Sequence, residues 1–219
     1  MGKHERVDAF ADGVTALTAR HGANVLDRLR GAARQIVEED NSQVVAQPEV
    51  ARRVGVSAAE AYRHFASRED LLAAVAAEGF DELAAELDAA AHAGDPLISL
   101  GLAYVDFATT KRGLFGLMFG PLLAERAKYP ALDKAATAML EAFDHSLAAV
   151  EDRPADDSPN ATAAWGLVRG LSNLVVEGGG RDESAKHRAQ RVLSAARRSK
   201  QGHDDPVQMR AGRERWKLN

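Results

Sequence analysis

Four arginine side chains cluster in one short stretch of a chain whose overall net charge is negative. Between Val50 and Arg68 the sequence has four arginines and a single acid, Glu60, whereas the whole chain carries a formal net charge of −4. Guanidinium groups form charge-assisted hydrogen bonds with phosphate and can pair with the edge of guanine. The stretch therefore predicts a compact surface that binds a nucleic-acid backbone, with a solvated arginine face as the alternative.

Two short helices around a tight turn must position these side chains. Gly55 can adopt the positive φ of a helix exit, and Ser57 with Glu60 forms a capping box that opens the next helix. Ser67 and Asp70 repeat the capping pattern in front of a longer helix. The pattern indicates a helix-turn-helix module, whose second helix can lie in a DNA major groove.

Four consecutive blocks of sequence carry a family resemblance. They are LRGAARQIVEED for a first helix, PEVARRVGV for a second, SAAEAYRHF for a recognition helix and ASREDLLAAV for the start of a fourth. Through them the segment from Leu29 to Leu87 resembles the DNA-binding domain of the TetR family of bacterial transcriptional regulators. The resemblance implies an all-α chain, with an N-terminal three-helix helix-turn-helix domain and a C-terminal helical domain for ligand binding and dimerisation.

Composition agrees with an all-α protein and limits the alternatives. Apolar residues make up 46 % of the chain, many of them alanine, and no β-branched alternating run occurs. The sequence has no run of the ~18 apolar residues that a membrane span needs, and no signal-peptide core at its start. Since cysteine is absent, disulfides and thiolate metal sites are excluded. We expect a cytoplasmic protein with no membrane association.

Residues with catalytic potential are scattered. His64, His92 and His145 lie far apart in sequence, and none is paired with a nearby carboxylate in a nucleophile or metal arrangement. A glycine-rich phosphate cradle is also missing. The sequence therefore predicts no enzyme activity, no metal and no cofactor.

Glycine and proline divide the chain into segments. Gly94 and Pro96 mark a boundary between a DNA-binding domain at 24–91, which includes a linking fourth helix, and a helical ligand-binding and dimerisation domain at 95–200. Residues 1–23 form an arm or an extra helix. Residues 201–219 are predicted to be a basic, disordered tail, which could either add nonspecific DNA affinity or simply be solvated.

The resemblance also implies which side chains meet DNA. Tyr62, His64 and Arg68 match family positions that contact the backbone or bases, and Arg63 could reach a guanine or a phosphate. Glu60 could accept from a cytosine amino group, although its capping role is the simpler interpretation. The candidate DNA-binding residues, all on or next to the recognition helix, are Ala58, Ala59, Glu60, Tyr62, Arg63, His64 and Arg68.

Aromatic and methionine side chains concentrate in the second domain, where they could either line an apolar effector pocket or form ordinary core. The segment AWGLVRGLSNLVVEGG is similar to a family subgroup with a Trp-x-x-x-His-Gly pattern, with Arg169 in the place of the histidine. Arg169 could meet a ligand anion, stack on Trp165, contact an interface or be solvated. The candidate pocket residues are Tyr104, Phe107, Phe115, Met118, Phe119, Met139, Phe143, Trp165 and Arg169.

Two consecutive helical segments near the end, Ala161 to Glu177 and Asp182 to Arg198, each carry an apolar stripe. Such a pair can form a four-helix bundle with its copy across a two-fold axis, which is the family's usual dimer interface; alternatively both stripes face their own domain. The candidate interface residues are Leu167, Leu171, Leu174 and Val175 on the first segment, and Ala185, Ala189, Val192 and Ala196 on the second.

These observations favour one function over a rival. The leading hypothesis is a ligand-responsive repressor that binds a palindromic double-stranded operator as a homodimer and responds to a small apolar effector. An activator would make the same DNA contacts. The rival is a helical ligand-binding or interaction protein with a decayed DNA-binding module, an idea motivated by Glu60 and by the acidic turn Glu38–Asp40.

Overall fold

The computed structural model describes residues 24–39, 45–92, 95–151, 159–177 and 187–195. Throughout these ranges the regular elements are helices, and no strand occurs in them, which confirms the all-α prediction. None of the helices found there is long and apolar enough to cross a lipid bilayer. The predicted N-terminal arm and basic tail lie outside the described residues.

The helices follow one another with short connections and fall into two compact units. The first unit holds the described residues of 1–80 and 113–136, and the second holds those of 81–112 and 137–219. The predicted domain limits, 24–91 and 95–200, stay predictions. The helices are α1 (24–39), α2 (Gln47–Val54), α3 (Ala58–His64), α4 (Arg68–Ala91), α5 (Pro96–Thr110), α6 (Arg112–Met118), α7 (Pro121–Ala124), α8 (Pro130–Glu151), α9 (Pro159–Glu177) and α10 (187–195).

Local capping sets the limits of the helix-turn-helix. α2 ends at Gly55, whose φ of 71° and ψ of 32° are left-handed, as predicted for this glycine. The Ser57 Oγ accepts from the backbone N–H of Glu60 at 3.1 Å and so begins α3. Before α4, the Ser67 and Asp70 side chains accept reciprocally from each other's backbone N–H, at 3.0 and 2.9 Å. These bonds satisfy N–H groups that a helix start would otherwise leave unpaired.

Apolar side chains of α1 to α4 form the core of the first unit. Leu29 of α1, Val50 of α2, Ala61 of α3 and Leu71 of α4 are each 0 % exposed. Burying a leucine contributes about 2 kcal/mol relative to leaving it in water, so this core holds the short helices together. Arg28 adds a hydrogen bond from its guanidinium to the carbonyl of Val54, which joins α1 to the end of α2.

A partly buried ion cluster joins α4 to α5 within the second unit. The Lys111 Nζ lies 2.7 Å from Glu82 Oε1 and 2.5 Å from Glu86 Oε1, and 4.5 Å from the centre of the Phe107 ring. Desolvation lowers the pKa of the Lys111 ammonium, but the hydrogen bonds to Glu82 and Glu86 outweigh it and raise that pKa. The lysine therefore stays charged and holds the C-terminal end of α5 to α4.

The start of α6 touches the backbone of α1 inside the first unit. A Cβ added at Gly113 would lie 2.0 Å from the carbonyl oxygen of Val37 and 3.0 Å from the Cα of Glu38. Backbone atoms at the end of a packed helix cannot move aside as a side chain can. Gly116, one turn later in the same helix, has no atom within 4 Å of the equivalent position.

This pair of glycines gives a test of the packing. We expect Gly113→Ala to lower the free energy of unfolding by about 3 kcal/mol, because the new methyl group overlaps backbone. Gly116→Ala is the matched control and should raise it by about 0.5–1 kcal/mol through helix propensity. Urea unfolding followed by circular dichroism measures both. Equal stability of the two variants would contradict the close approach of α6 to α1.

Candidate nucleic-acid interface

One face of α3 points to solvent and carries four of the candidate DNA-binding residues. Ala58, Ala59, Tyr62 and Arg63 are exposed, and 48 % of the Tyr62 surface is accessible. The opposite face is anchored by Ala61, which is fully buried. A helix that presents small residues, a phenol and a guanidinium can approach DNA closely, contact thymine methyl groups and donate to phosphate.

The remaining candidates lie at the edges of this face. Glu60 and His64 are half-buried. Ser57 caps the backbone N–H of Glu60, but within the described residues the Glu60 carboxylate makes no return bond to the Ser57 N–H, so the predicted capping box is only half formed. Arg68 is also half-buried: its Nε donates to the carbonyl oxygen of Val45 at 2.6 Å, and its Nη1 lies 3.3 Å from Glu69 Oε1. The Arg68 side chain therefore ties the start of α4 to the residues before α2, a role that the sequence did not indicate.

The two arginines of α2 are paired with carboxylates. Arg52 donates from Nε and Nη2 to the two carboxylate oxygens of Glu49, both at 2.8 Å. Arg53 lies 3.0 Å from a carboxylate oxygen of Glu39 and 3.3 Å from one of Glu49. The hydrogen bond from Arg52 lowers the pKa of Glu49 to about 2, so this carboxylate is ionised at neutral pH. The predicted basic surface is thus partly neutralised by acids outside the Val50–Arg68 window.

Arg63 differs from the other arginines of the cluster. It is exposed, and it makes no ion pair with any residue in the described ranges. Exposed ion pairs contribute only about 0–1 kcal/mol, so a phosphate can also replace Glu49 as the partner of Arg52. Arg63 on α3 can therefore bind a phosphate directly. Arg52 and Arg53 can bind one after it replaces their carboxylate partners.

The candidate pocket residues are divided between the two units. Phe115, Met118 and Phe119 belong to the first, where the Phe119 ring lies 5.2 Å from Phe80 and 4.8 Å from Phe115. The other six belong to the second unit. Among the described residues no three His, Cys, Asp or Glu side chains are grouped to hold a metal ion.

Trp165 is the centre of an aromatic cluster in the second unit. Its ring meets Tyr104 and Phe143 edge-on, each at 5.3 Å between ring centres. Tyr104 and Phe143 are almost fully buried, as are Phe107 and Met139. Burial raises the pKa of the Tyr104 hydroxyl, and the neighbouring Arg169 guanidinium opposes that shift. The structure thus places Arg169 beside Tyr104, at the border of an apolar wall.

The candidate dimer-interface residues differ in how far they are buried. Leu167 and Leu171 of α9 are half-buried, and the side chains of Leu174 and Val175 lie outside the described set, as do Ala185 and Ala196. On α10, Ala189 is buried, whereas Val192 is 38 % exposed. Its neighbour Leu193 is buried instead and packs against Gly101 of α5. An exposed valine next to a buried leucine leaves an apolar site on the outer face of α10.

Sequence comparison matches both parts of the chain. Residues 29–75 match the family described as bacterial regulatory proteins, tetR family, and residues 97–196 match the one described as tetracyclin repressor-like, C-terminal domain. The two ranges together cover about two thirds of the chain. No curated protein matches the sequence.

Solved structures share the fold. A protein of unknown function from Rhodococcus sp. RHA1 is 26 % identical, with a TM-score of 0.67 over 78 % of this chain and 92 % of its own. A tetR-family regulatory protein from Rhodococcus RHA1 is 20 % identical, with a TM-score of 0.57 over 79 % and 95 %. The TetR-family transcriptional regulator PfmR from Thermus thermophilus is 16 % identical, with a TM-score of 0.55 over 76 % and 94 %.

The carboxylate pairing of α2 gives a test of the surface. Glu49→Gln should raise affinity for a random-sequence DNA duplex by about three- to tenfold, because Arg52 and Arg53 lose a competing partner. The slope of log affinity against log salt should steepen by about one unit for each added phosphate contact. Glu141→Gln, at an exposed position on α8, removes the same charge without releasing an arginine. Equal effects of the two substitutions in a fluorescence-anisotropy titration would show that only net charge matters.

Proposed function

The chain belongs to the TetR family of bacterial regulatory proteins, and from this premise we propose that it is a ligand-responsive repressor that binds a palindromic operator as a homodimer. The observation that carries the proposal is the exposed face of α3, with Tyr62 and Arg63 at its centre, on a helix-turn-helix in which Ser57 caps α3 and the Ser67–Asp70 pair caps α4. A face of this size and chemistry fits the major groove of DNA.

In this proposal some side chains bind phosphates and others lie against the bases. Arg63 and the exchangeable Arg52 and Arg53 bind phosphates and set the register on the duplex. Ala58 and Ala59 lie closest to the bases and favour thymine methyl groups, while Tyr62 donates to the backbone. In a dimer, two copies of α3 read half-sites about 34–36 Å apart, which is one helical turn of DNA.

Effector binding is assigned to the second unit. The cluster of Tyr104, Phe143 and Trp165 supplies an apolar aromatic wall, and Arg169 adds a single cationic group beside it. Such a wall suits a small, largely apolar effector whose polar group meets the guanidinium. Effector binding lowers DNA affinity if the ligand prefers a dimer in which the two copies of α3 no longer match successive major grooves.

One observation favours the rival function. Glu49 and Glu39 occupy the arginines of α2, which lowers the positive charge of the surface that would approach DNA. A helical ligand-binding protein with a decayed DNA-binding module would tolerate such pairing. The two functions differ in a salt titration on DNA from upstream of the protein's own gene: the repressor shows sequence-selective, salt-sensitive binding, and the decayed module does not.

Substitutions on α3 test the DNA contacts. Tyr62→Ala and Arg63→Ala should each weaken operator binding by about tenfold or more, since a lost phosphate or base contact costs ~1–3 kcal/mol. Lys134→Ala is the matched control for Arg63→Ala, because Lys134 is exposed on α8 and its replacement also removes one positive charge. All three variants should remain dimers in light scattering. Operator affinity that is unchanged in both α3 variants would rule out this reading surface.

A substitution on α10 tests the dimer. Val192→Glu should convert the dimer into a monomer at micromolar concentration, because a carboxylate in an apolar interface loses its hydration without gaining a partner. Gln190→Glu adds the same charge at an exposed neighbouring position and should leave the dimer intact. Sedimentation velocity measures both. A Val192→Glu protein that sediments as a dimer would place the interface elsewhere.

A further inference from the structure

A buried glutamine lies at the start of the helix-turn-helix. Gln47, the first residue of α2, is only 2 % exposed and is one of two buried polar residues in the described part of the chain. The amide therefore calls for a specific explanation.

The amide of Gln47 reaches the far end of the recognition helix. Its Nε2 donates to the carbonyl oxygen of Phe65 at 2.6 Å and approaches that of Ala61 at 3.4 Å. Phe65 is the residue at which α3 ends, with extended backbone at φ −131° and ψ 112°. One side chain thus connects the first turn of α2 to the last turn of α3, across 18 residues of sequence.

A second side-chain hydrogen bond joins the same two segments of the chain. Arg68 donates from Nε to the carbonyl oxygen of Val45, at 2.6 Å, so residues 45–47 and residues 65–68 are joined by two side-chain hydrogen bonds that run in opposite directions. Ser67 and Asp70 fix the intervening turn through their reciprocal cap. The C-terminal end of α3 is therefore held from α2 as well as from α4.

The amide of Gln47 forms hydrogen bonds through only one of its two polar atoms. Its Oε1 is buried and has no hydrogen-bond partner within the described residues. Leaving a buried acceptor unpaired costs more free energy than a typical hydrogen bond returns. The hydrogen bond from this amide is directional. It restricts both the distance of the end of α3 from α2 and the rotation of that end.

We propose that Gln47 is a positioning residue, which fixes the pose of α3 and thereby sets operator selectivity without touching DNA. The inference rests on the proposed DNA-binding function. Contacts with base edges depend on the pose of α3 to within a fraction of an ångström, whereas contacts with phosphates tolerate small rotations of the helix. Loss of the Gln47 bond should therefore weaken selective binding much more than nonspecific binding.

The test compares Gln47→Met with wild type on two DNA duplexes. One duplex is enriched by the wild-type protein from a random library, and the other is a scrambled sequence of the same composition. Methionine keeps the length of the side chain and removes both the donor and the unpaired acceptor. Gln190→Met is the matched control, because Gln190 is exposed on α10 and lies outside the helix-turn-helix.

The expected result separates positioning from stability. Gln47→Met should unfold at a lower temperature than wild type, because the buried Phe65 carbonyl loses its donor. At a temperature at which both proteins are folded, it should bind the enriched duplex about tenfold more weakly, and should bind the scrambled duplex within twofold of wild type with an unchanged salt slope. Gln190→Met should match wild type on both duplexes. A purely structural role would lower the melting temperature and leave the ratio of the two affinities, measured on the folded proteins, unchanged; that unchanged ratio overturns the proposal.

Two further outcomes are distinguishable. If wild type enriches no sequence and binds both duplexes equally, the proposed function fails and the inference with it. If wild type is selective but Gln47→Met does not fold, the comparison is made with Gln47→Asn, whose shorter side chain keeps the amide but cannot reach the Phe65 carbonyl. A folded Gln47→Asn protein with wild-type selectivity overturns the proposal, and so does the failure of both variants to fold.

Discussion

A helix of seven residues cannot keep its shape in water, so α3 depends on bonds that its surroundings supply at both ends. Ser57 caps its first turn, the amide of Gln47 holds its last carbonyl, and Ala61 fixes its inner face in the core. Much of the first unit can be understood as the support of this helix. The exposed residues that would contact DNA are few, and the neighbouring helices hold the helix that carries them.

Two of the arginines on the proposed DNA-binding surface are held in ion pairs with carboxylates, whereas Arg63 is not paired within the described residues. Arg52 and Arg53 share Glu49, and Glu39 takes a second position on Arg53. Binding to a phosphate then exchanges one anionic partner for another, so the gain in free energy per contact is smaller than for an unpaired arginine. We therefore expect the proposed DNA-binding surface to have little affinity for arbitrary DNA, and to gain most from contacts that pairing does not weaken, such as those to bases.

Features that involve residues close together in the chain could be predicted from the sequence. Contacts between residues far apart in the chain could not. The caps at Ser57 and Asp70 and the left-handed Gly55 were predictable because each involves residues within four positions. The bond from Arg68 to Val45 spans 23 residues and the pair of Lys111 with Glu82 spans 29, so no spacing rule indicates them. Periodicity also could not choose between the adjacent Val192 and Leu193, of which only the leucine is buried. Most of the candidate pocket residues are buried, but their spacing did not indicate that they separate into two units, and whether they line a pocket stays a prediction.

Trp165 has a further use that follows from its surroundings. The chain has two tryptophans, and replacing Trp216 by phenylalanine leaves a single indole between the rings of Tyr104 and Phe143 and near Arg169. Indole emission responds to a change in the polarity and packing of its surroundings. The protein thus contains its own optical reporter at the wall where we place the effector, and compound collections can be screened by fluorescence before any operator is known.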